Sequence, residues 1–424
     1  MSGDTIAAMR NLKWVYATGI FVVLILLMIA IYRTPFIHNR LSWRVDFAMV
    51  YLRGLIDPVQ KMPTALPEPQ VLGLSLPTKI PTLMPTLIPL STVPFTPTSL
   101  PSPTPLPRSA VVASPAWEKQ DINNCGPAAL TMYLRFYGWE GDQNTISDVI
   151  KPYREDRNVN VEELAYFVRT NVGWLNIEYR VGGDLEFIKE FLAAGIPVMI
   201  EESFYFDEPY WVNDDLWAAH YQLVTGYNDE TQTVIGQDSF HGADQVISYE
   251  TLDKLWQAFN RVIIIIYPPQ QEDTVRTILD SDWDPDSNRQ HALEDAQLET
   301  QADPDTPFSW FNLGTNLTYF ERYIEATDAY DKARELGLPQ RMLRYQFGPF
   351  IAYFHTGQMD DLIALTEYAL KVTPNAEEAH LWHGWAMYRK GLISEAIDDF
   401  QQALLVNPNY QDAQYALDFA KANP

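Results

Sequence analysis

The chain has 424 residues, 47% of them hydrophobic, and a formal net charge of −25. That length allows two or three domains with their own cores. The acidic balance repels phosphate backbones, so nucleic acid is not an expected partner. The single cysteine, Cys125, excludes an internal disulfide and a cysteine-based zinc site, and no cofactor is expected.

Trp14 to Tyr32 form a run of nineteen residues without a charge, bracketed by Lys13 and Arg33. At ~1.5 Å per residue such a helix nearly spans a ~30 Å hydrocarbon core. No A-x-A-like cleavage site follows it, so residues 14–32 read as an uncleaved transmembrane anchor. Arg10 and Lys13 precede the run and Arg33, Arg40 and Arg44 follow it, so the charge count leaves orientation open. Residues 34–62 mix aromatic and basic side chains, as in an interfacial helix or an extension of the anchor. Residues 63–108 are rich in Pro, Thr, Ser and Leu, which predicts a semi-stiff extended linker. A stalk of this kind would hold folded domains away from a membrane, and an extracytoplasmic position is expected for them; the alternative is a flexible linker of no special side.

Residues 112–268 read as a mixed α and β domain. A helix follows Cys125. A second starts after Asn160 as N-cap and stops near Gly173, and a third runs from Asp184 to Gly195. Strands are predicted over "IPVMIEE", "HYQLVTGY", "TQTVIGQDS" and "RVIIIIYPP". An acidic spacer is expected from Gln270 to Thr306. From there to residue 424 the period becomes helical. Trp310, Leu313, Gly314, Ala326, Tyr330 and Ala333 fill the tetratricopeptide pattern. Pro374 and Pro408 lie thirty-four residues apart, as do Ala369 and Ala403, and Gly357 and Gly391. Three units and a final helix from Tyr410 to Ala422 are about the minimum for a stable stack.

A thiol at a helix start meets the positive end of the helix dipole and unpaired amides, both of which favour thiolate. Packing is the alternative role for Cys125, since a free cysteine is commonly a small buried hydrophobe. A nucleophile needs a base, and the base an orienter. Of the seven histidines, His220 and His241 share the cysteine's domain. If Tyr227 pairs with Thr231 across a three-residue loop, the register sets His220 opposite Asp238, on one face of the sheet. A one-residue slip would substitute Gln237 or Ser239.

"QDINNCGPAALTMYL", "AHYQLVTGYND" and "VIGQDSF" resemble the papain-like peptidases related to the bacteriocin-processing, double-glycine leader peptidases. The resemblance covers about Ala116 to Tyr267. It implies an α+β papain-like cysteine peptidase domain; the repeats after it read separately as an all-α tetratricopeptide-repeat solenoid. It also implies Cys125 as nucleophile, His220 as general base and acid, Asp238 as its orienter, and Gln120 as oxyanion donor with the Cys125 N–H. Two departures stand out. Gln120 is five residues before the cysteine, where papain-like enzymes more often place it six before, and Asn124 stands where leader peptidases usually carry Asp.

The expected activity is a membrane-anchored cysteine peptidase acting on peptides or proteins, with repeats that bind a protein partner. Amidase or transamidase chemistry shares the same thioester intermediate. A catalytically idle adaptor that binds peptides is the alternative. Residues 201–219, "EESFYFDEPYWVNDDLWAA", are either a cleft wall favouring a basic or extended peptide or a loop tucked by its aromatics. His380 and His383 share a helical face at a spacing used by metal ligands, but they fill packing positions of the repeat, so no metal is expected. Asn316 begins a glycosylation sequon inside a predicted helix.

Overall fold

The computed structural model describes residues 51–66, 105–151 and 159–424, with a few isolated positions before residue 50. Among the described residues no helix is long and apolar enough to cross a membrane. The predicted anchor at 14–32 lies mostly outside the described residues, as does the linker from residue 67 to residue 104.

The described linker residues at Pro63 to Leu66 depart from the expected stalk. Residues 51–56 are helical, and the chain then runs extended over the C-terminal helices. Val59 and Met62 are buried there. Lys371 pairs with Asp57 at 2.6 Å, Arg334 Nε donates to the Pro63 carbonyl at 2.9 Å, and the Leu66 N–H donates to Asp361 Oδ1 at 3.1 Å. Proline leaves the extended backbone short of partners, and side chains of the helical region supply them.

A seven-stranded antiparallel sheet forms the centre: β1 (Ser109–Val111), β2 (Asn176–Arg180), β3 (Val198–Tyr205), β4 (Trp217–Asn228), β5 (Thr233–Asp238), β6 (Gly242–Ser248) and β7 (Ile263–Tyr267). Their spatial order is β2-β7-β3-β4-β5-β6, with β1 pairing β4. Helix α1 (Cys125–Phe136) packs Ala129, Leu130 and Tyr133 against Met199, Leu223 and Ile264 on one face. Four helices follow: α2 (Gln143–Ile150), α3 (Val161–Asn171), α4 (Leu185–Ala193) and, after β6, α5 (Tyr249–Trp256). Ile188 and Phe191 of α4 cover Ile200, Val224 and Ile263 on the other face. Burial on both faces explains the unbroken "IIIIY" of β7. The expected cap holds for α3, where Asn160 and Glu163 form a reciprocal capping box. Asp184 caps α4 through the Phe187 N–H at 2.8 Å.

The expected acidic spacer is instead two helices, α6 (Glu272–Leu279) and α7 (Pro285–Ala302). Asp284 caps α7 at the Ser287 N–H, with Pro285 in its first turn. Ala292, Leu293 and Ala296 bury on the body. Arg180 donates to the Trp283 carbonyl at 2.5 Å, and the Arg276 guanidinium lies 3.8 Å over the Trp283 ring.

The C-terminal region is helical and paired. Helix α8 (Pro307–Tyr319) packs on α9 (Tyr323–Leu336). A short α10 (Met342–Tyr345) precedes α11 (Gly348–Thr356) and α12 (Met359–Val372). Helices α13 (Glu377–Arg389), α14 (Ile393–Val406) and α15 (Gln411–Ala422) complete it. A Cβ on Gly384 would sit 2.6 Å from the Phe400 ring, so only glycine allows that approach. Gly357 and Gly391 recur for a different reason: both end a helix at positive φ, 80° and 78°. Asn316 is fully buried, with its amide donating to the Ala292 carbonyl at 2.9 Å, so the sequon has no room for a glycan.

Helical region and peptidase-like domain share one hydrophobic cluster, which runs from Leu223 and Ile264 through Phe259 to Phe311, Tyr330 and Phe350. The boundary expected near residue 304 is therefore not a break in packing.

Candidate active site

Cys125 is the first residue of α1, behind Asn124 as N-cap and Asn123 in the left-handed region at φ 53°. That kinked entry turns the thiol toward β4 instead of into the helix packing. Tyr133 and Tyr137 fix the far end of α1. The Ile266 N–H donates to Tyr133 Oη at 2.8 Å, and Tyr137 Oη donates to the Ile266 carbonyl at 2.9 Å. The helix that begins at Cys125 is thereby tied to the sheet that carries His220.

His220 sits on β4, 3% exposed. Its Nε2 lies 3.0 Å from Asp238 Oδ1, which leaves Nδ1 for the thiol of Cys125, with which its side chain hydrogen-bonds. Burial pushes the Cys125 thiol up. The hydrogen bond and charge of His220, with backbone hydrogen bonds from Tyr221 and Gly126, outweigh it and bring the thiol below its ordinary value of 9.0. Burial also opposes charge on His220. Asp238 and Cys125 more than reverse this and raise the imidazole to about 10. The arrangement favours a thiolate–imidazolium pair.

Asp238 is held below the usual carboxylate range. Burial pushes its carboxyl up, and His220 and His241 outweigh that. Its Oδ1 also accepts the Phe240 N–H at 2.7 Å and the His241 N–H at 3.1 Å, and its Oδ2 lies 2.7 Å from His241 Nδ1. His241 had no assigned role in the sequence; its place three residues after Asp238 was the available signal.

The expected pairing of His220 directly opposite Asp238 is corrected by two residues. Gln222 faces Asp238, and Asn228 faces Thr233. The turn is longer than three residues: the Asn228 side chain caps it through the Glu230 N–H at 2.8 Å, and Gln232 adopts φ 53°. An irregularity between Val224 and Gly226 then shifts the register again. The net displacement is even, so His220 and Asp238 remain on one face as diagonal neighbours within side-chain reach.

Gln120 lines the cleft with Cys125. Ser239 Oγ donates to its Oε1 at 2.8 Å, so its NH₂ is the end left to face the cleft. The Gln120 N–H also donates to the Ser239 carbonyl at 2.9 Å. Gln143, another residue the sequence gave no reason to single out, staples this loop. Its Oε1 accepts from the Asp121 N–H at 2.7 Å and Asn124 Nδ2 at 2.8 Å, and its Nε2 donates to the Lys119 carbonyl at 2.7 Å.

The cleft measures ≈ 420 Å³. One wall carries Phe204, Phe206 and Tyr210 of the aromatic segment singled out in the sequence, and Arg344 and Tyr345 come from the helical region. That segment is neither a free loop nor wholly a cleft wall. Its distal part is clamped: Trp211 Nε1 donates to Gln340 Oε1 at 2.8 Å, and Arg341 pairs with Asp214. Among the described residues no cluster of three His, Cys, Asp or Glu is arranged to hold a metal. His383 turns its Nδ1 to Asp399, 2.7 Å away.

No curated protein matches the chain significantly. Among solved structures, a double glycine motif protease from an AMS/PCAT transporter, in complex with the leader peptide, is 17% identical; the match covers 38% of this chain and 94% of that one, with a TM-score of 0.28. Xylellain, a cysteine protease from Xylella fastidiosa, is 14% identical over 39% and 87% of the two chains, TM-score 0.31. YrrB, a TPR protein with an unusual peptide-binding site, is 19% identical over 35% and 74%, TM-score 0.29. Residues 112–264 match the family model described as the Peptidase_C39 like family, and the chain is thus similar to C39-like peptidases in this domain.

Proposed function

We propose that the protein is a membrane-anchored cysteine peptidase that cleaves peptide or protein substrates through a Cys–His–Asp acyl-enzyme mechanism. The observation that carries this is the placement of His220 between the Cys125 thiol and Asp238. The Cys125 thiolate attacks the scissile carbonyl carbon. The oxyanion takes hydrogen bonds from the Gln120 NH₂ and the Cys125 backbone N–H. His220 then gives its proton to the leaving amine as the C–N bond breaks, and a thioester remains. Water gives a proton to His220, attacks the thioester carbonyl and releases the acid and the Cys125 thiolate. Asp238 holds the imidazole in the tautomer that presents Nδ1 to sulfur.

Anchoring through residues 14–32 is supported by the uncharged run itself, and an extracytoplasmic position by the Pro-rich composition that follows it. A protein partner for the repeats is supported by the helical pairing, although part of that region already serves the cleft and the 57–66 segment.

The test is alkylation of Cys125 by iodoacetamide across pH in the native protein and in His220→Ala. Fast alkylation at pH 6 that slows at least tenfold in the variant supports the reading. Reaction like an ordinary thiol of pKa ~8.5 in both proteins moves the idle adaptor ahead.

A further inference from the structure

Glu201 is a cleft carboxylate that the mechanism leaves unused. It stands on β3 directly across from Tyr221, the residue after the catalytic histidine. It lines the cleft with Cys125, Gly126, Val159 and Tyr221, and is half-buried. Among the described residues, the groups that act on it are Tyr221, by a side-chain hydrogen bond, and the acids Cys125 and Glu162. None is a cation. The described lysine and arginine of the cleft lie elsewhere, Lys119 exposed on the Gln120 loop and Arg344 with its Nε turned to Thr373 Oγ1 at 2.9 Å, and His220 is engaged by Cys125 and Asp238.

We propose that Glu201 is a specificity residue that selects a lysine or arginine side chain of the substrate, seated in the cleft against Tyr221 and Val159. The inference rests on the peptidase reading above and deepens it. Burial raises the Glu201 carboxyl well above its ordinary value, so in the empty cleft it carries a proton against Tyr221. A substrate cation supplies the charge that lets it ionise. Tyr221 and Val159 take the methylenes of a long basic side chain. A neutral side chain of the same length meets a protonated carboxyl and gains no ion pair, so the preference comes from the substrate's charge.

The test uses the full chain carrying Cys125→Ala, which binds without reacting. Fluorescein-labelled octapeptides of alanine and glycine are compared, each with one lysine or one norleucine stepped through every position. A charge-assisted hydrogen bond of this kind is worth about ten- to a hundredfold in affinity. The expected result is a preference of that size for lysine over norleucine at one position. Adding Glu201→Gln removes it, and Glu201→Asp retains part of it, which separates loss of charge from loss of fold. Equal binding of lysine and norleucine at every position overturns the inference, as does a preference that survives Glu201→Gln. Neither outcome touches the iodoacetamide result, which reads thiolate formation without any substrate side chain, so the two readings fail separately.

Discussion

Arg341 and Asp214 face each other as a fork: Nη1 and Nη2 of the arginine each lie 2.6 Å from one carboxylate oxygen, and both side chains are essentially solvent-free. The pair joins the helical region to the segment that carries the cleft wall. Arg341 also donates to the Trp217 carbonyl at 3.0 Å and lies 4.0 Å over the Trp211 ring.

Removing one partner of such a pair leaves a buried charge unanswered, at a cost of about 3–5 kcal/mol. Arg341→Ala is expected to lower the thermal midpoint and to raise KM more than it lowers kcat, because Phe206 and Tyr210 lose their backing while the Cys125–His220 geometry stays. Calorimetry with steady-state kinetics on a cleaved peptide checks this. An unchanged KM would show that the clamp does not shape the cleft.

Turnover needs thiolate and imidazolium at once. Cys125 is drawn below 9.0 and His220 raised to about 10. The rate kcat/KM therefore climbs as the thiol ionises below pH 9, holds, and falls as pH passes about 10 and the imidazolium is lost. A profile that peaks near pH 6 and is lost by pH 8 contradicts the pair.

Gln120→Ala removes one oxyanion donor and is expected to cost about 10²–10³ in kcat. Ser239→Ala keeps that donor and loses only the bond to its Oε1, so its loss is expected to be smaller, on the order of 10-fold. Equal losses in single-turnover measurements would place Gln120 in a purely structural role.

Glu202 lies opposite His220 on β3 and has a buried carboxylate oxygen, Oε2, without a hydrogen bond. Burial chiefly raises its carboxyl from 4.5 to about 7. Between those values the folded protein holds a proton that the unfolded chain releases. Stability from this group is therefore full below pH 4.5 and declines as pH rises to 7, by on the order of 3 kcal/mol. Glu202→Gln stays neutral throughout. Its stability relative to the native protein is expected to improve from pH 5 to pH 8 in denaturant titrations, and a constant difference across that range sinks the assignment.

Much of the site was legible because its signals are local. Cys125-Gly-Pro before an apolar run marks a helix start, and β-branched runs mark β3, β4, β5 and β7. The His220–Asp238 meeting survived a wrong loop length because a displacement of two residues preserves the strand face. What stayed hidden is what only packing decides. Residues 270–306 looked like spacer because charge on the outer face of α7 masks the small apolar stripe of Ala292 and Ala296. Gln143 is eighteen residues from the cysteine and reaches its loop only through the fold. Arg341 and Arg344 sit where the repeat pattern breaks, between α9 and α11, and the break is what brings them to the peptidase-like domain.

Both flanks of the Pro-rich tract are fastened to one body: Leu66 to Asp361 on α12, and Ser109 in register with Asn228 on the sheet. The two ends of the tract are accordingly held by the molecule itself. A single cut between residues 67 and 104 would leave both flanks in place, since each side of the cut keeps its own hold.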